Sequence, residues 1–586
     1  MALPNGFSMH QLRSSSLKIW EMLGAWAHGI VYLMFMFPFA FLRHIRVHGD
    51  EKVYVGQALE MLRAGHWWQQ LQFGEVNYIK GPLHYLFLIF GHHLFGFSMV
   101  STVYMNLFLA ALAVVGLRSA ANYLMPANNT FKALPAWLFA GSGAFVMFTF
   151  SSQMDSELTS LYAISLSLSV LARHTNKKIY FALLWLSVGL AGTLKSPLHS
   201  CLLGISVLLY FTMSRALWSH LFSSPAKFLF LVVGILAGGA GYLLPFVLDG
   251  EKWLGTYMFR EQLDRPRYAD PASGFLLNNF VLHVIPWSIL VIHCFLIAFK
   301  RVRTKQYKMD EFTRVGLAFL IPTFAFFFGL GYLAPWYGLP MIPALMMLVM
   351  SQLMTRCDPV KDIANAVLPW TVLMMAAVLV CHAAFFGGTP WWSWSTSLLL
   401  SAILLLSFLI LEAVVSGRKM PARAGVFAGV GLFWCASLGL TATMGESELH
   451  DVRALLSKNS APLNYSNTAK ENYSEWGYMA YMTGQPSFYS NSFEELLKGG
   501  MQGNWMVFTH QDELNQFWAW MKERGLAEKY LAQSDVNIWR RWPRNASQLR
   551  KIWESRSSTE NIWDKTTRHF LVLRFTDVRS QVLLEP

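Results

Sequence analysis

Apolar runs long enough to cross a bilayer, about 20 residues each, recur along the first three quarters of the chain with short basic loops between them. They fall at residues 19–42, 99–117, 133–150, 158–172, 179–193, 198–213, 228–248, 276–299, 315–332, 337–354, 364–386, 394–415 and 424–444, about thirteen spans in all. Two stretches depart from this rhythm. Val55, Ala58, Leu59 and Leu62 follow the i, i+3, i+4, i+7 spacing of a helix with one apolar face, which predicts a helix lying on the membrane surface. Residues 66–97 are too broken by His, Gln and Gly for a simple span and are expected as a structured surface loop, with 83–90 apolar enough to dip into the bilayer.

Beyond Met444 the pattern changes. Ser492-Phe493-Glu494-Glu495 ahead of Leu496 and Leu497 has the form of a capping box, with Gly499 as the stop. Residues 505–509 and 569–575 read as strands and 513–524 as a helix. The expected organisation is a polytopic α-helical membrane domain over 1–444 and a small α/β domain outside the membrane over 445–586.

Composition strengthens the membrane assignment: 54% of the 586 residues are hydrophobic and only 14% charged. The net charge of +13 would suggest a nucleic-acid partner if it were spread along the chain. From Gly445 onward, however, acidic and basic residues balance at 17 each, so the whole excess sits among the spans. That distribution fits loops facing anionic lipid, and no nucleic-acid partner is expected. The five cysteines lie in or beside spans, which argues against a disulfide framework or a cysteine-based zinc site.

The basic loops set the orientation. Arg118 with Lys132, Arg173 with Lys177 and Lys178, Arg215 with Lys227, the run Lys300–Lys308, Arg356 with Lys361, and Arg418 with Lys419 and Arg423 fall on one side. The positive-inside rule makes that side cytoplasmic. Arg43 and Arg46 are the exception. The N-terminus is then inside and the tail outside, periplasmic if the membrane is a bacterial inner membrane.

The opposite side collects Asp50 and Glu51, the Asp155-Ser156-Glu157 turn, Lys195-Ser196-Pro197, the loop from Asp249 to Gly274, and Ala334-Pro335-Trp336-Tyr337. Asp155 and Glu157 suit either a shared base-and-orienter site or a divalent cation. Lys80, Lys195, Arg260, Arg265 and Arg267 lie where a positive-inside protein is poor in cations, and suit either lipid headgroups or a clamp on one phosphate. His92, His93, Trp391, Trp392 and Trp394 fit interfacial anchors. No nucleotide-binding fingerprint accompanies a strand and helix.

His48-Gly49-Asp50-Glu51-Lys52-Val53-Tyr54, then Glu60-Met61-Leu62 and Gly65-His66-Trp67, resembles the D-E-x-x-Y … E-M-L-x-x-G-x-W signature of the ArnT-like aminoarabinose transferases, relatives of the protein O-mannosyltransferases. The likeness continues through Lys80-Gly81-Pro82-Leu83, Met154-Asp155, Thr193-Leu194-Lys195-Ser196-Pro197, Glu261-Gln262-Leu263-Asp264-Arg265 and Pro335-Trp336-Tyr337-Gly338-Leu339-Pro340. Ile79, Gln262 and Leu333 depart from it, standing where the family often has Glu, His and a basic residue.

The resemblance implies a C-type glycosyltransferase fold and transfer of a sugar from a polyprenyl (undecaprenyl) phosphate to a glycolipid such as lipid A or a protein acceptor, with inversion. It makes Asp50 the catalytic carboxylate, sets Lys80 and Arg265 on the lipid phosphate, and lines the site with Asp155, Lys195 and Tyr337. Asp50 and Asp155 are therefore the candidate catalytic residues, and Glu51, Tyr54, Lys80, Lys195, Arg265 and Tyr337 the candidate substrate contacts. No cofactor is firmly indicated, and a divalent cation stays open. A protein O-mannosyltransferase and a lipid or solute transporter are the competing expectations; a transporter calls for charges at mid-membrane in broken helices.

Overall fold

A computed structural model describes residues 24–38 and, apart from short breaks, 51–257 and 278–355; beyond 462 it describes 463–465, 487–508 with two single-residue breaks, 511–526, 531–540 and 567–577. The first part is helical. In chain order the helices are α1 (residues 24–38), α2 (Glu51–Ala64), α3 (Pro82–Phe95), α4 (Met99–Leu124), α5 (Leu134–Ala140), α6 (Gly143–Thr149) and α7 (Met154–Thr175). There follow α8 (Lys178–Leu194), α9 (Pro197–Met213), α10 (Pro225–Trp253), α11 (Ser288–Arg303), α12 (Glu311–Leu330) and α13 (Ile342–Leu353), the last preceded by a 3₁₀ segment at Pro335–Met341. Among the described residues four helices are long and apolar enough to cross a membrane, at Val100–Leu124, Pro225–Trp253, Glu311–Gly329 and Trp336–Leu353. The expected spans over 364–444, and the domain boundary at 444, lie outside the described residues.

Several helix starts follow from one local device. α3, α9 and α10 each open on a proline at the first helical position, after Gly81, Ser196 and Ser224. Proline there has its φ preset and gives up an N–H that has no helical partner anyway. α4 opens instead on Ser98, whose side chain accepts from the Ser101 N–H.

At the centre lies α7, whose residues Met154 to Ala163 are all buried. It is serine-rich, and several of its hydroxyls bond within the protein: Ser167 donates to the Ala163 carbonyl at 2.7 Å, Ser169 to Ser165 at 2.8 Å, and Ser165 and Ser187 share a bond of 2.7 Å. Back-bonding of this kind lets a polar helix be buried. α8 and α10 pack through glycines. A Cβ on Gly189 would strike the Gly234 carbonyl, and Gly238 approaches the Gly189 carbonyl within 3.2 Å of its own virtual Cβ. Small residues let the backbones come this close.

The two ends of α7 carry different chemistry. Arg173, at its C-terminal end, pairs with Glu311, which also accepts from Tyr210 Oη at 2.8 Å and Arg314 at 3.0 Å. Nearby, Lys227 Nζ donates to Asn176 Oδ1 at 2.5 Å and to the His220 carbonyl at 2.7 Å. These groups belong to three of the basic loops grouped on one side by the sequence. Asp155 stands at the other end, about 27 Å away at 1.5 Å per residue.

Four expectations are corrected. α2 does not lie on a surface: its Val53–Leu59 residues are buried, polar Gln57 included, because Gln57 reaches the Asn77 carbonyl at 3.2 Å and Tyr85 Oη at 2.8 Å. Residues 66–97 are a short β1–β2 hairpin (Leu71–Gln72 and Glu75–Val76) followed by α3, not a loop throughout. The run 133–150 breaks at Gly141 into α5 and α6. Asp155-Ser156-Glu157 is the first turn of α7 rather than a connecting turn, and it is buried.

Beyond 462, strands β3 (Leu463–Tyr465), β4 (Ser487–Tyr489), β5 (Trp505–Phe508), β6 (Leu531–Arg540) and β7 (Thr567–Asp577) form a sheet in the order β4-β3-β5-β7-β6. β3 runs parallel to β4 and β5, and β7 antiparallel to β5 and β6. Helix α14 (Phe493–Met501) is capped by Ser492, which accepts from the Glu495 N–H at 3.2 Å; it runs through Gly499 instead of ending there. Its Leu496 and Leu497 pack with Met506 and Phe508 of β5 and with Phe517 and Met521 of α15 (Gln511–Glu523).

One close approach tests this packing. A Cβ at Gly81 would run into the Thr193 carbonyl, whereas at Gly204 it would meet only Val188 Cγ1 at 3.9 Å. Thermal unfolding of the detergent-solubilised protein should show Gly81→Ala destabilised by about 1–3 kcal/mol or more, the cost of overpacking. Gly204→Ala should unfold with the wild type. Equal midpoints for all three proteins would mean that α3 and α8 do not meet in this way.

Candidate functional site

The segment Ser151–Glu157 is held by three elements far away in the chain. Glu51, the first residue of α2, is fully buried and accepts from the Ser152 N–H at 2.8 Å and from Ser151 Oγ at 3.5 Å. Lys195, between α8 and α9, forms an ion pair with Asp155 Oδ1. His84, in the first turn of α3, meets Glu157 Oε2 through Nδ1 at 2.9 Å. All four ionisable side chains of the last two pairs are at most 6% exposed. The sequence alternative in which Asp155 and Glu157 share one site therefore fails. Residues two apart on an α-helix are turned about 200° from each other, so their carboxylates reach different partners.

The two lysines reach the same end of the bundle through backbone packing. Gly81 lies against the Thr193 carbonyl, which places the Lys80-Gly81-Pro82 step beside Thr193-Leu194-Lys195. Gln70 fixes Lys80 from the other side. Its amide donates to the Lys80 carbonyl and accepts from the Lys80 N–H at 3.3 Å, completing a backbone-like bridge to the β1 strand. The hairpin is tied in turn to α10. Asp249, the one residue inside α10 with non-helical angles (φ −140°, ψ 44°), accepts from Tyr78 Oη at 2.6 Å and from Gln69 Nε2 at 2.5 Å. Burial, with the Asp249 carboxylate alongside, pushes the Tyr78 phenol up, so it stays a donor throughout the neutral range.

Lys195 Nζ also lies over the Tyr337 ring, 4.5 Å from its centroid. Tyr337 stacks on Phe327 at 5.3 Å, and Phe327 meets His199 at 6.1 Å. His199 Nδ1 bonds to Ser196 Oγ at 2.9 Å. Tyr54, also buried, sets its ring edge-on to His84 at 5.4 Å.

The structure thus brings together Asp155, Lys195 and Tyr337 directly, with Lys80 joined through its backbone and Glu51 and Tyr54 packed behind. Asp50, Arg260, Arg265 and Arg267 lie outside the described residues. Gln70, His84, His199 and Asp249 escaped the sequence reading. Gln70 and His84 counted only as polar interruptions of an apolar run, His199 was absorbed into a span, and Asp249 looked like the start of a loop. The one available signal, a histidine four residues after each lysine, marks His84 and His199 and not Gln70 or Asp249. Among the described residues no group of three or more His, Cys, Asp or Glu side chains is placed to hold a metal ion.

No protein-family model and no curated protein matches the sequence. Solved structures do. ArnT from Cupriavidus metallidurans bound to undecaprenyl phosphate superposes with a TM-score of 0.62 at 15% identity, covering 94% of this chain and 97% of that one. The chain has an ArnT-like fold. The apo structure of the same ArnT gives the same TM-score and identity over 96% of this chain and 98% of that one. The Archaeoglobus fulgidus oligosaccharyltransferase in its apo form reaches 0.44 at 11% identity, over 88% and 73%.

The Asp155–Lys195 pair makes a measurable prediction. Lys195→Met should destabilise the protein by about 3–5 kcal/mol, because it leaves a buried carboxylate uncompensated. Adding Asp155→Asn should recover much of that loss. Equilibrium unfolding of the two single variants and the double variant checks it, and simply additive losses would show that the two side chains do not interact.

Proposed function

We propose that the chain is an integral-membrane glycosyltransferase that takes a sugar from a polyprenyl phosphate and passes it to an envelope acceptor, a glycolipid such as lipid A, on the outer face of a bacterial inner membrane. The observation that carries this proposal is that Lys195 pairs with buried Asp155 while the Lys80-Gly81-Pro82 step packs against Thr193, each lysine just ahead of a helix start, in a protein of ArnT-like fold. Helix N-termini carry partial positive charge, and a lysine ammonium adds a full one, so this end of the bundle suits a phosphate. The ArnT structure of the same fold was solved with undecaprenyl phosphate bound.

In the proposed step the bond from the anomeric carbon to the donor phosphate oxygen breaks, and the acceptor oxygen bonds to the same carbon from the opposite face. Asp50 takes the acceptor's proton. Lys80 and Arg265 meet the negative charge that grows on the departing polyprenyl phosphate. Asp50 directly precedes Glu51, whose bonds to Ser151 and Ser152 tie the start of α2 to the segment that carries Asp155. Lys195, held between Asp155 and the Tyr337 ring, is a third cation for the phosphate. Among the described residues the charges gather at helix ends, with Asp249 at a break four residues from the end of α10, which favours an enzyme over a transporter. Residues 1–444 form the catalytic membrane domain in this proposal, and 445–586 a periplasmic domain.

Asp50→Asn is the discriminating variant. Asn keeps the size and capping ability of Asp but accepts no proton, so turnover with a polyprenyl-phosphate sugar should fall by about 10²–10⁴-fold while thermal stability is retained. Lys80→Ala should instead raise the donor KM. Arg265→Lys should weaken donor use more than Arg267→Lys, because only the guanidinium offers a planar fork. Asp50→Asn turning over within a few fold of wild type would remove that residue from catalysis. Lipid A of a deletion strain that matches the complemented strain by mass would exclude that acceptor.

A further inference from the structure

The two lysines belong to a repeated sequence: Lys80-Gly81-Pro82-Leu83-His84 and Lys195-Ser196-Pro197-Leu198-His199. Both copies are built alike. Each sets proline at the first position of its helix, lysine two residues earlier and histidine at the third helical position. The copies abut where Gly81 meets the Thr193 carbonyl, and the first turn of α7 lies against both. They divide the two carboxylates of that turn. The second copy contributes its lysine, to Asp155; the first contributes its histidine, to Glu157. His199, the second histidine, turns back on its own copy and bonds to Ser196.

His84 is wholly buried, with its ring in edge contact with Tyr54 and Tyr85 at centroid distances of 5.4 and 6.0 Å. Its Nε2 has no hydrogen-bond partner among the described residues, so Glu157 alone orients the imidazole by hydrogen bonding. The helix needs such a fixture. Gln153, at the N-cap of α7, makes no side-chain capping bond, so the start of the first turn is set by bonds from other residues. Glu51 holds the residues before the turn, Thr149 Oγ1 bonds to Ser156 Oγ at 3.2 Å and Lys195 holds Asp155; Glu157 is the attachment made to α3.

We infer that His84 is a positioning residue: by holding Glu157 it fixes the first turn of α7 so that Asp155 faces Lys195. The inference rests on the proposed donor site for its consequence in catalysis, although not for the geometry it asserts. His84 need touch neither donor nor acceptor.

The test compares His84→Leu, which keeps bulk but not the hydrogen bond, with His84→Asn, whose amide nitrogen stands near the place of Nδ1. Amide hydrogen exchange is followed over residues 151–158, together with kcat and donor KM for a polyprenyl-phosphate sugar. In His84→Leu those amides should exchange faster, and kcat/KM for the donor should fall about 10- to 100-fold, mostly through a raised donor KM, as misplacement of Lys195, a cation for the donor phosphate, predicts. His84→Asn should restore both. Unchanged exchange in His84→Leu overturns the inference, as does a His84→Asn protein as impaired as His84→Leu. If the wild type transfers no sugar from any polyprenyl phosphate, the glycosyltransferase proposal falls and the exchange comparison still decides the role of His84.

Discussion

The structure depends on one buried acidic turn. Asp155 and Glu157 start the central helix out of water, where an isolated carboxylate is very costly, and they stay there because a cation or a ring N–H from elsewhere in the chain meets each of them. The attachments come from α2, α3 and the α8–α9 junction. Each joins residues far apart in sequence, so the turn orders four segments at once. A buried pair of this kind adds little net stability over an apolar substitute, yet breaking it is expensive, so it specifies an arrangement more than it strengthens one.

Glycine contacts let those segments come close enough. Gly81 against Thr193 aligns the two lysines, and the glycines between α8 and α10 bring α10 near enough for Asp249 to reach the β1–β2 hairpin. The hairpin in turn carries Gln70, which grips the backbone of Lys80. A chain of contacts therefore runs from a helix break in α10 to a lysine at the candidate site. At the far end of α7 the carboxylate of Glu311 gathers Arg173, Arg314 and Tyr210, so the helix is pinned by charge at both ends.

This architecture suits chemistry at the edge of a bilayer. Lys195 is held by an anion on one side and an aromatic face on the other. A phosphate arriving at this end would meet a cation already in place. The proposed enzyme would then spend little on reorganisation during the step.

Local signals in the sequence determined much. The helical class, the turns that open on Lys-Gly-Pro and Lys-Ser-Pro, the serine cap at Ser492 and the grouping of basic loops opposite Asp155 are short-range matters of hydropathy, proline geometry and charge, and they are written within a few residues of where they act. Tertiary structure alone decided which carboxylate meets which cation, that α2 is buried and not superficial, and that Gln70, His84 and Asp249 belong to the site. Those outcomes hang on contacts across up to 180 residues, as between Gln69 and Asp249. A buried glutamine or histidine has the same local signature as an exposed one, and what makes it tolerable inside is a partner that only the folded chain supplies.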